Sequence, residues 1–499
     1  MASLTFYGGA KEIGGNKILL EDKKAKVYLD FGMPFDFGEG YFVPEVYLEP
    51  RGADGLAPYF ELGMVPKIPK LYSEDMLAHT DLKYEKPDVD AVFVSHHHSD
   101  HTGELKFLDE SIPVYMGHGT KVIMDAYRKM YPSFSDYGEH DTRTFKTGDE
   151  VEVKGMRFRP IHVEHSTPGA YGLIVESEEW GPLVYTGDLR MHGQKKEMTE
   201  EFIEEARKAR PEVLLCEGTM MPPKRVTGMP KEEAEEAKEE IVRKWYSEDY
   251  VKKKVSSVIK DSKGLVFAHF AMSNIDRFRS IWEACVENNR KLVVDPKYAY
   301  LLECLREKIT WIPDDLRLYY RLNSSGNWDE QGYTGEWRRY WGDELPDYCY
   351  TICRNGSRRR KPGTWRCEDE MKKGNITFKD IREKPKDYVL FINVSRLTEL
   401  AHIRPKKADY VYSSSEHFLE GEDNYKMKTA MENWLKHFDV SWETAHCSGH
   451  ASAKDIERMV KRVKADVVVP IHTLNPEKFK DFCDVKVVGK EGKVKVLKV

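Results

Sequence analysis

No stretch of this 499-residue chain approaches the roughly 18 consecutive apolar residues of a membrane span, so no membrane partner is expected. The N-terminal MASLTFYGGAKEIGG lacks a basic segment followed by an apolar one, so no secretory signal is read there. Cysteines number only 8 and are scattered, with no dense framework to suggest a disulfide scaffold. That usage fits a reducing, cytoplasmic setting. Positive charge is not in excess: 78 Lys and Arg face 84 Asp and Glu, for a net charge of −6. A globally basic nucleic-acid binder is excluded, and any nucleic-acid partner must be met by a local patch. Internal repeats and low-complexity tails are also lacking.

What is present is enough to build large cores. The apolar fraction is 40% and the aromatic fraction 12%, in a chain long enough for two or three domains. KVYLDFG (26–32), DAVFVSHHH (90–98) and GPLVYTGD (181–188) read as short strands ending in polar residues. EVEVKGMRFRPIHVEH (150–165) reads as a hairpin with a glycine turn, GLIVES (172–177) as a strand, and GTKVIMDAYRKMY (119–131) as a helix. Beyond Glu217 the composition shifts to a charged, helix-forming run, then GLVFAHF, NIDRFRSIWEACVENN and RKLVVD give the strand–helix–strand rhythm of a parallel βαβ unit. DYVLFINV (387–394) and ADYVYSSS (408–415) add strands, and AKDIERMVKRVK with ADVVVPIHT closes the chain with a helix and a strand. Strands mixed with helices throughout point to an α/β sandwich.

The chemistry concentrates in VSHHHSDHTGEL (94–105). Four histidines and an aspartate follow directly on the buried-strand run AVFVS. In a tight loop after a strand, His96 and His98 can face one ion while Asp100 and His101 face a second, and a helix is expected to start at Thr102-Gly103-Glu104. Neutral imidazoles and a carboxylate are the ligand types that zinc and similar divalent ions select. His97 is expected to point away. Further ligands should come from other strand ends: His165 in VEHSTPG, Asp188 in VYTGD, His472 in VPIHT and Asp30 in YLDFG, with Asp188 suited to bridging two cations.

At this point HHHSDH resembles the HxHxDH signature of the metallo-β-lactamase superfamily. YLDFG, HHHSDH, EHSTPG and YTGD resemble its four successive motifs in order. CEGT (216–219), HCSGHAS (446–452) and PIHT (470–473) resemble the three further motifs of the β-CASP nucleases. GGAKEIGGN (8–16) and SNIDR (273–277) are similar to segments of ribonuclease J and its relatives. The resemblance implies an α/β fold: a metallo-β-lactamase αββα sandwich over 1–217 and 435–499, with an inserted β-CASP α/β domain over 218–434. It implies one zinc on His96, His98 and His165, a second on Asp100, His101 and His472, with Asp188 bridging and Asp30 orienting a ligand; Mn2+ is the alternative metal. It further implies His450 as a general acid or phosphate contact, oriented by Glu217, and Asp100 and Asp188 as catalytic carboxylates.

The expected activity is two-metal hydrolysis of RNA phosphodiester bonds, 5′-to-3′ with endonuclease cleavage as well, on single-stranded RNA. His472 favours RNA, since DNA-acting relatives tend to carry valine there. The alternatives are a structure-selective DNA nuclease of the same fold and a catalytically silent RNA-binding subunit. A homodimer and an RNA-decay or processing complex are the expected assemblies. His446, Ser448, Gly449 and Ser414 are candidates for phosphate or RNA contact, with a helix N-cap the competing role for Ser448 and a capping loop for Ser414. Residues 323–380 carry little periodicity and read as an insertion. Within it Arg359 and its basic neighbours, flanked by Trp337, Trp341 and Trp365, are candidates for an RNA grip, with a solvated charge run the competing reading, and Cys349, Cys353 and Cys367 are read as free thiols, with a zinc knuckle the alternative.

Overall fold

The computed structural model describes residues 3–42, 48–132, 135–222, 247–313, 316–319, 321, 375–419, 425–489 and 492–495. Arg359, the three tryptophans and Cys349, Cys353 and Cys367 lie outside them. The chain divides into two compact units: 1–191 with 195–235 and 449–499, and 192–194 with 236–448. Among the described residues no helix is long and apolar enough to cross a membrane.

Among the described residues the first unit contains two sheets. One has seven strands in the order β20-β1-β2-β3-β4-β5-β6. These are β1 (Ser3–Gly8), β2 (Lys17–Glu21), β3 (Lys26–Leu29), β4 (Ala91–Val94), β5 (Val114–Gly117), β6 (Thr142–Phe145) and β20 (Gly492–Lys495). The other has six, in the order β19-β11-β10-β9-β8-β7. These are β7 (Val151–Val153), β8 (Met156–His162), β9 (Tyr171–Glu176), β10 (Leu183–Tyr185), β11 (Val213–Glu217) and β19 (Val467–Ile471). Strand side chains alternate between faces, and the sequence uses both faces for burial. Ile18, Leu20, Val27, Leu29 and Phe93 of the first sheet pack with Phe158, Leu173, Val175, Leu215 and Ile471 of the second. The intervening Leu19, Tyr28, Val92 and Val94 turn outward onto a separate cluster with Leu56, Phe60 and Met124. On the far side of the second sheet, Ile174, Val184, Leu214 and Val468 meet Phe202, Ile203, Ile456 and Met459 from helices Lys196–Ala209 and Ala453–Val463. Two sheets face to face with helices outside give a metallo-β-lactamase αββα sandwich.

The second unit contains a seven-stranded, all-parallel sheet, order β15-β14-β13-β16-β12-β17-β18. Its strands are β12 (Val266–His269), β13 (Lys291–Val294), β14 (Arg317–Tyr319), β15 (Asn375–Ile376), β16 (Tyr388–Phe391), β17 (Ala408–Tyr412) and β18 (Val440–Thr444). β12 and β13 are parallel and joined through helix Ile275–Glu287, as the rhythm suggests, but β16 inserts between them. β18 pairs with β17, so residues 440–444 belong to this sheet and not to the closing segment expected from residue 435.

Candidate metal centre

The loops that leave the C-terminal ends of β3, β4, β8, β10, β11 and β19 in the first unit carry the site. β4 is fully buried, so the chain must emerge from it at Ser95 and turn at once. The turn is itself helical: Ser99–Thr102 forms a short helix with His98 at its N-cap, which corrects the expected start at Thr102. That places Asp100 and His101 in the helix and His96 and His98 before it. His97 turns away, its Nδ1 3.0 Å from Thr167 Oγ1.

Three nitrogens converge on one point. His96 Nε2 lies 2.9 Å from His98 Nδ1, which lies 3.2 Å from His165 Nε2. Ligands about 2.05 Å from a tetrahedral zinc stand about 3.3 Å apart, so this spacing fits such an ion. Gly449 O accepts from His165 Nδ1 at 2.6 Å, which leaves Nε2 as the ligating atom. Burial lowers the pKa of all three imidazoles, that of His98 to about 4, and keeps them in the neutral, ligating form.

Asp100, His101, Asp188 and His472 form the second group, also within mutual ligand distance. His101 Nε2 lies 3.1 Å from Asp188 Oδ2, and His472 Nε2 2.8 Å from Asp100 Oδ2. Asp188 Oδ2 also stands 3.7 Å from His96 Nε2, so this carboxylate reaches both groups. Its Oδ1 is buried with no hydrogen-bond partner, the condition of an oxygen awaiting a cation. The donor set therefore fits two divalent ions. Burial would raise the Asp188 pKa, but His472, His101 and His450 outweigh it and hold the group well below the ordinary range. Burial would lower His101; Asp188, Asp100 and Asp30 outweigh it and hold its proton well above the ordinary imidazole range.

Asp30 sets the orientation of this second group. It ends β3 with φ +55°, in the left-handed region that aspartate tolerates better than most residues. It accepts from Ser95 N–H at 2.6 Å, Ser95 Oγ at 2.8 Å and His101 Nδ1 at 2.6 Å, and from the Tyr185 hydroxyl. His472 also lies at positive φ, +51°, a strained setting for an imidazole that its contacts must hold. Its N–H donates to Gly9 O at 2.7 Å, and its Nδ1 lies 2.7 Å from Thr219 Oγ1.

His450 stands at the mouth of this arrangement, its side chain 20% exposed. Its Nδ1 lies 3.6 Å from Glu217 Oε2, 3.8 Å from Asp188 Oδ2 and 3.1 Å from Thr219 Oγ1. Burial would lower its pKa, but Asp188 and Glu217 raise it to about 9, so the imidazole carries a proton at neutral pH. Glu217 is completely buried and accepts from Thr219 N–H at 3.0 Å and Ala451 N–H at 3.4 Å.

The chain resembles known proteins in this region and beyond. Residues 69–244 match the model of the β-lactamase superfamily domain. Ribonuclease J of Mycoplasma pneumoniae is 23% identical over 289 residues, which cover 57% of this chain and 42% of that protein. Ribonuclease J of Sinorhizobium meliloti is 22% identical over 400 residues, 78% of this chain and 59% of that one. The chain is a metallo-β-lactamase-fold protein similar to ribonuclease J. This ribonuclease J-like chain thus matches between 42% and 59% of the length of these two relatives. Its fold is also that of a protein of unknown function from Enterococcus faecalis V583, with a TM-score of 0.70, 21% identity and 99% of each chain covered.

Of the other candidates from the sequence, Gly449 belongs to the first unit and bonds His165, as above. Ser448, His446 and Ser414 belong to the second. Ser448 O accepts from His192 Nε2 at 2.8 Å, and His446 Nδ1 lies 3.3 Å from Arg277 Nη1. Ser448 is not a helix cap: Ser452 caps helix Ala453–Val463, its Oγ accepting from Asp455 N–H at 2.9 Å. Ser414 is half-buried just after β17. The site also uses Ser95, Tyr185, Asn16 and Thr219, which residue-by-residue reading does not single out. Thr219 lies within the quoted CEGT motif, and a hydroxyl two residues after a strand-end carboxylate was the available signal.

Proposed function

We propose that this protein is a metal-dependent ribonuclease that hydrolyses phosphodiester bonds of single-stranded RNA. The observation that carries the reading is the shared position of Asp188: one carboxylate within reach of two complete ligand groups and of a protonated His450. The similarity to proteins named ribonuclease J supports RNA as the substrate. Two divalent ions, zinc or manganese, would supply Lewis acidity toward the phosphate oxygens and a water acidified into the neutral range. The chain's own residues do the rest. His96, His98 and His165 would hold one ion and Asp100, His101 and His472 the other, with Asp188 within reach of both groups. His450 holds a proton at Nδ1 between Asp188 and Glu217 and delivers it to the leaving 3′-oxygen. Glu217 keeps that imidazole charged and fixed, and Thr219 ties it to His472. Direction 5′-to-3′, with endonuclease cleavage, a homodimer and a place in an RNA-decay or processing complex belong to the same proposal, as do phosphate contacts from Ser414, His446, Ser448 and Gly449.

The test is a gel assay on a 5′-labelled single-stranded RNA and its DNA twin with zinc or manganese, and Asp188→Ala as control. Mononucleotide release from RNA, lost in the control, is expected. Internal fragments alone would overturn the exonuclease direction, and cleavage of DNA alone would overturn RNA as the substrate.

A further inference from the structure

The loop that leaves β3 carries an aromatic ring that the metal chemistry does not use. Residues 31–33 run along the short helix that bears Asp100 and His101. Phe31 N–H donates to His101 O at 2.9 Å, and Met33 N–H to Ser99 O at 2.9 Å. Gly32 fits between them because it has no side chain: a Cβ there would stand 1.7 Å from Asp100 O. Pro34 then bridges to Gly14, and Asn16 N–H donates to Asp100 O at 3.1 Å. This braced segment delivers Phe35 to solvent with 62% of its surface exposed. A Cβ on Gly14 would meet Asp100 Cβ at 2.8 Å and Phe35 Cδ2 at 3.0 Å, so a metal-ligand side chain and the edge of the phenyl ring flank one glycine.

A single exposed phenylalanine is ordinary on a protein surface. One that follows a segment tied by backbone contacts to a ligand-bearing helix is not, because that segment is positioned before any ligand arrives. We infer that Phe35 is a stacking platform for a nucleobase beside the scissile phosphate. The inference rests on the nuclease reading above. A phosphate drawn to cations on the Asp188 and Asp100 groups would bring its flanking bases to the residues that surround those ligands, and an exposed ring there offers a π-face that accepts any base. A phenyl ring neutralises no phosphate, so its contribution is independent of salt.

The test uses the full chain, Phe35→Ala and Phe35→Trp, with RNA oligonucleotides that are intact or abasic next to the cleaved bond. Phe35→Ala should weaken RNA binding about tenfold, the loss of one stacked base, with the bound metal and the salt slope unchanged. Phe35→Trp should bind at least as well as the wild type. The abasic position should cost the wild type about tenfold and cost Phe35→Ala nothing. Additive losses, or an alanine variant that binds like the wild type, would overturn the platform. A wild type that holds its metals but neither binds nor cuts RNA or DNA would overturn the nuclease reading itself, which is a separate result from RNA cleavage insensitive to Phe35.

Discussion

Asp30 shows how one residue governs the site without being counted among its ligands. Among the described residues every hydrogen-bond partner of its carboxylate is a donor: Ser95 N–H, Ser95 Oγ, His101 Nδ1 and the Tyr185 hydroxyl. Asp30→Asn would set an NH2 group against some of those donors while keeping the shape. Metal affinity should fall by about 10- to 100-fold, the usual effect of losing a group that orients a ligand, as read by metal titration. An unchanged affinity would show that β4 and the Ser99–Thr102 helix fix His101 without it. Thr219 is the companion case at His450. With His472 ligating through Nε2, its Nδ1–H donates to Thr219 Oγ1, and the charged His450 donates to the same oxygen. Thr219→Val removes that acceptor. RNA cleavage should drop about tenfold or more with metal content retained, and Thr219→Ser should restore it. Loss of metal in the valine variant would make Thr219 a support for His472 alone.

At the scale of elements, the site is a set of strand ends, and what holds each end is checkable. Ser452 at the start of helix Ala453–Val463 fixes the segment that carries Gly449, His450 and Ala451. Ser452→Ala should cost about 1 kcal/mol in denaturant unfolding, while Ser448→Ala should cost little there, because Ser448 is not the cap. Equal losses would return the cap to Ser448. The ligand residues were legible in the sequence because side-chain type, strand-end position and chain order all agree on them. The supporting residues were not. Asn16 reaches His101 Nδ1 at 3.5 Å and Thr219 reaches His472, contacts between positions 85 and 253 residues apart that no local pattern encodes. Apolar runs ending in polar residues, as in KVYLDFG and DAVFVSHHH, revealed strands, but the entry of β16 between β12 and β13 is decided by long-range pairing. The helix at Ser99 was hidden because four polar residues beside an apolar strand read as a loop.

For the molecule as a whole, the protonation of the site couples metal binding to pH. His96, His98 and His165 are already neutral, with pKa values lowered by burial, that of His98 to about 4. They release no proton when a cation arrives at any pH above about 5. His101 is the opposite, holding a proton between Asp30 and Asp188 that must leave before Nε2 can ligate. Bound metal stabilises the fold by an amount that follows its affinity, so the gap in unfolding free energy between loaded and metal-stripped protein reports those protons. Because His101 is raised, the stripped protein keeps its proton well above pH 6.5, and the gap should widen as pH rises from 5.5 to 8. One released proton gives a slope of about 1.4 kcal/mol per pH unit. Ordinary imidazoles at 96, 98 and 165 would add up to three more protons below pH 6.5 and steepen the acid side. A slope near one proton below about pH 7, where the acidified water has not yet ionised, is therefore the expected result of chemical unfolding with and without zinc at fixed free metal. A gap that steepens below pH 6.5 would mean that the three-histidine group is not held neutral, and a gap independent of pH would mean that His101 does not carry the proton that its two carboxylate partners imply.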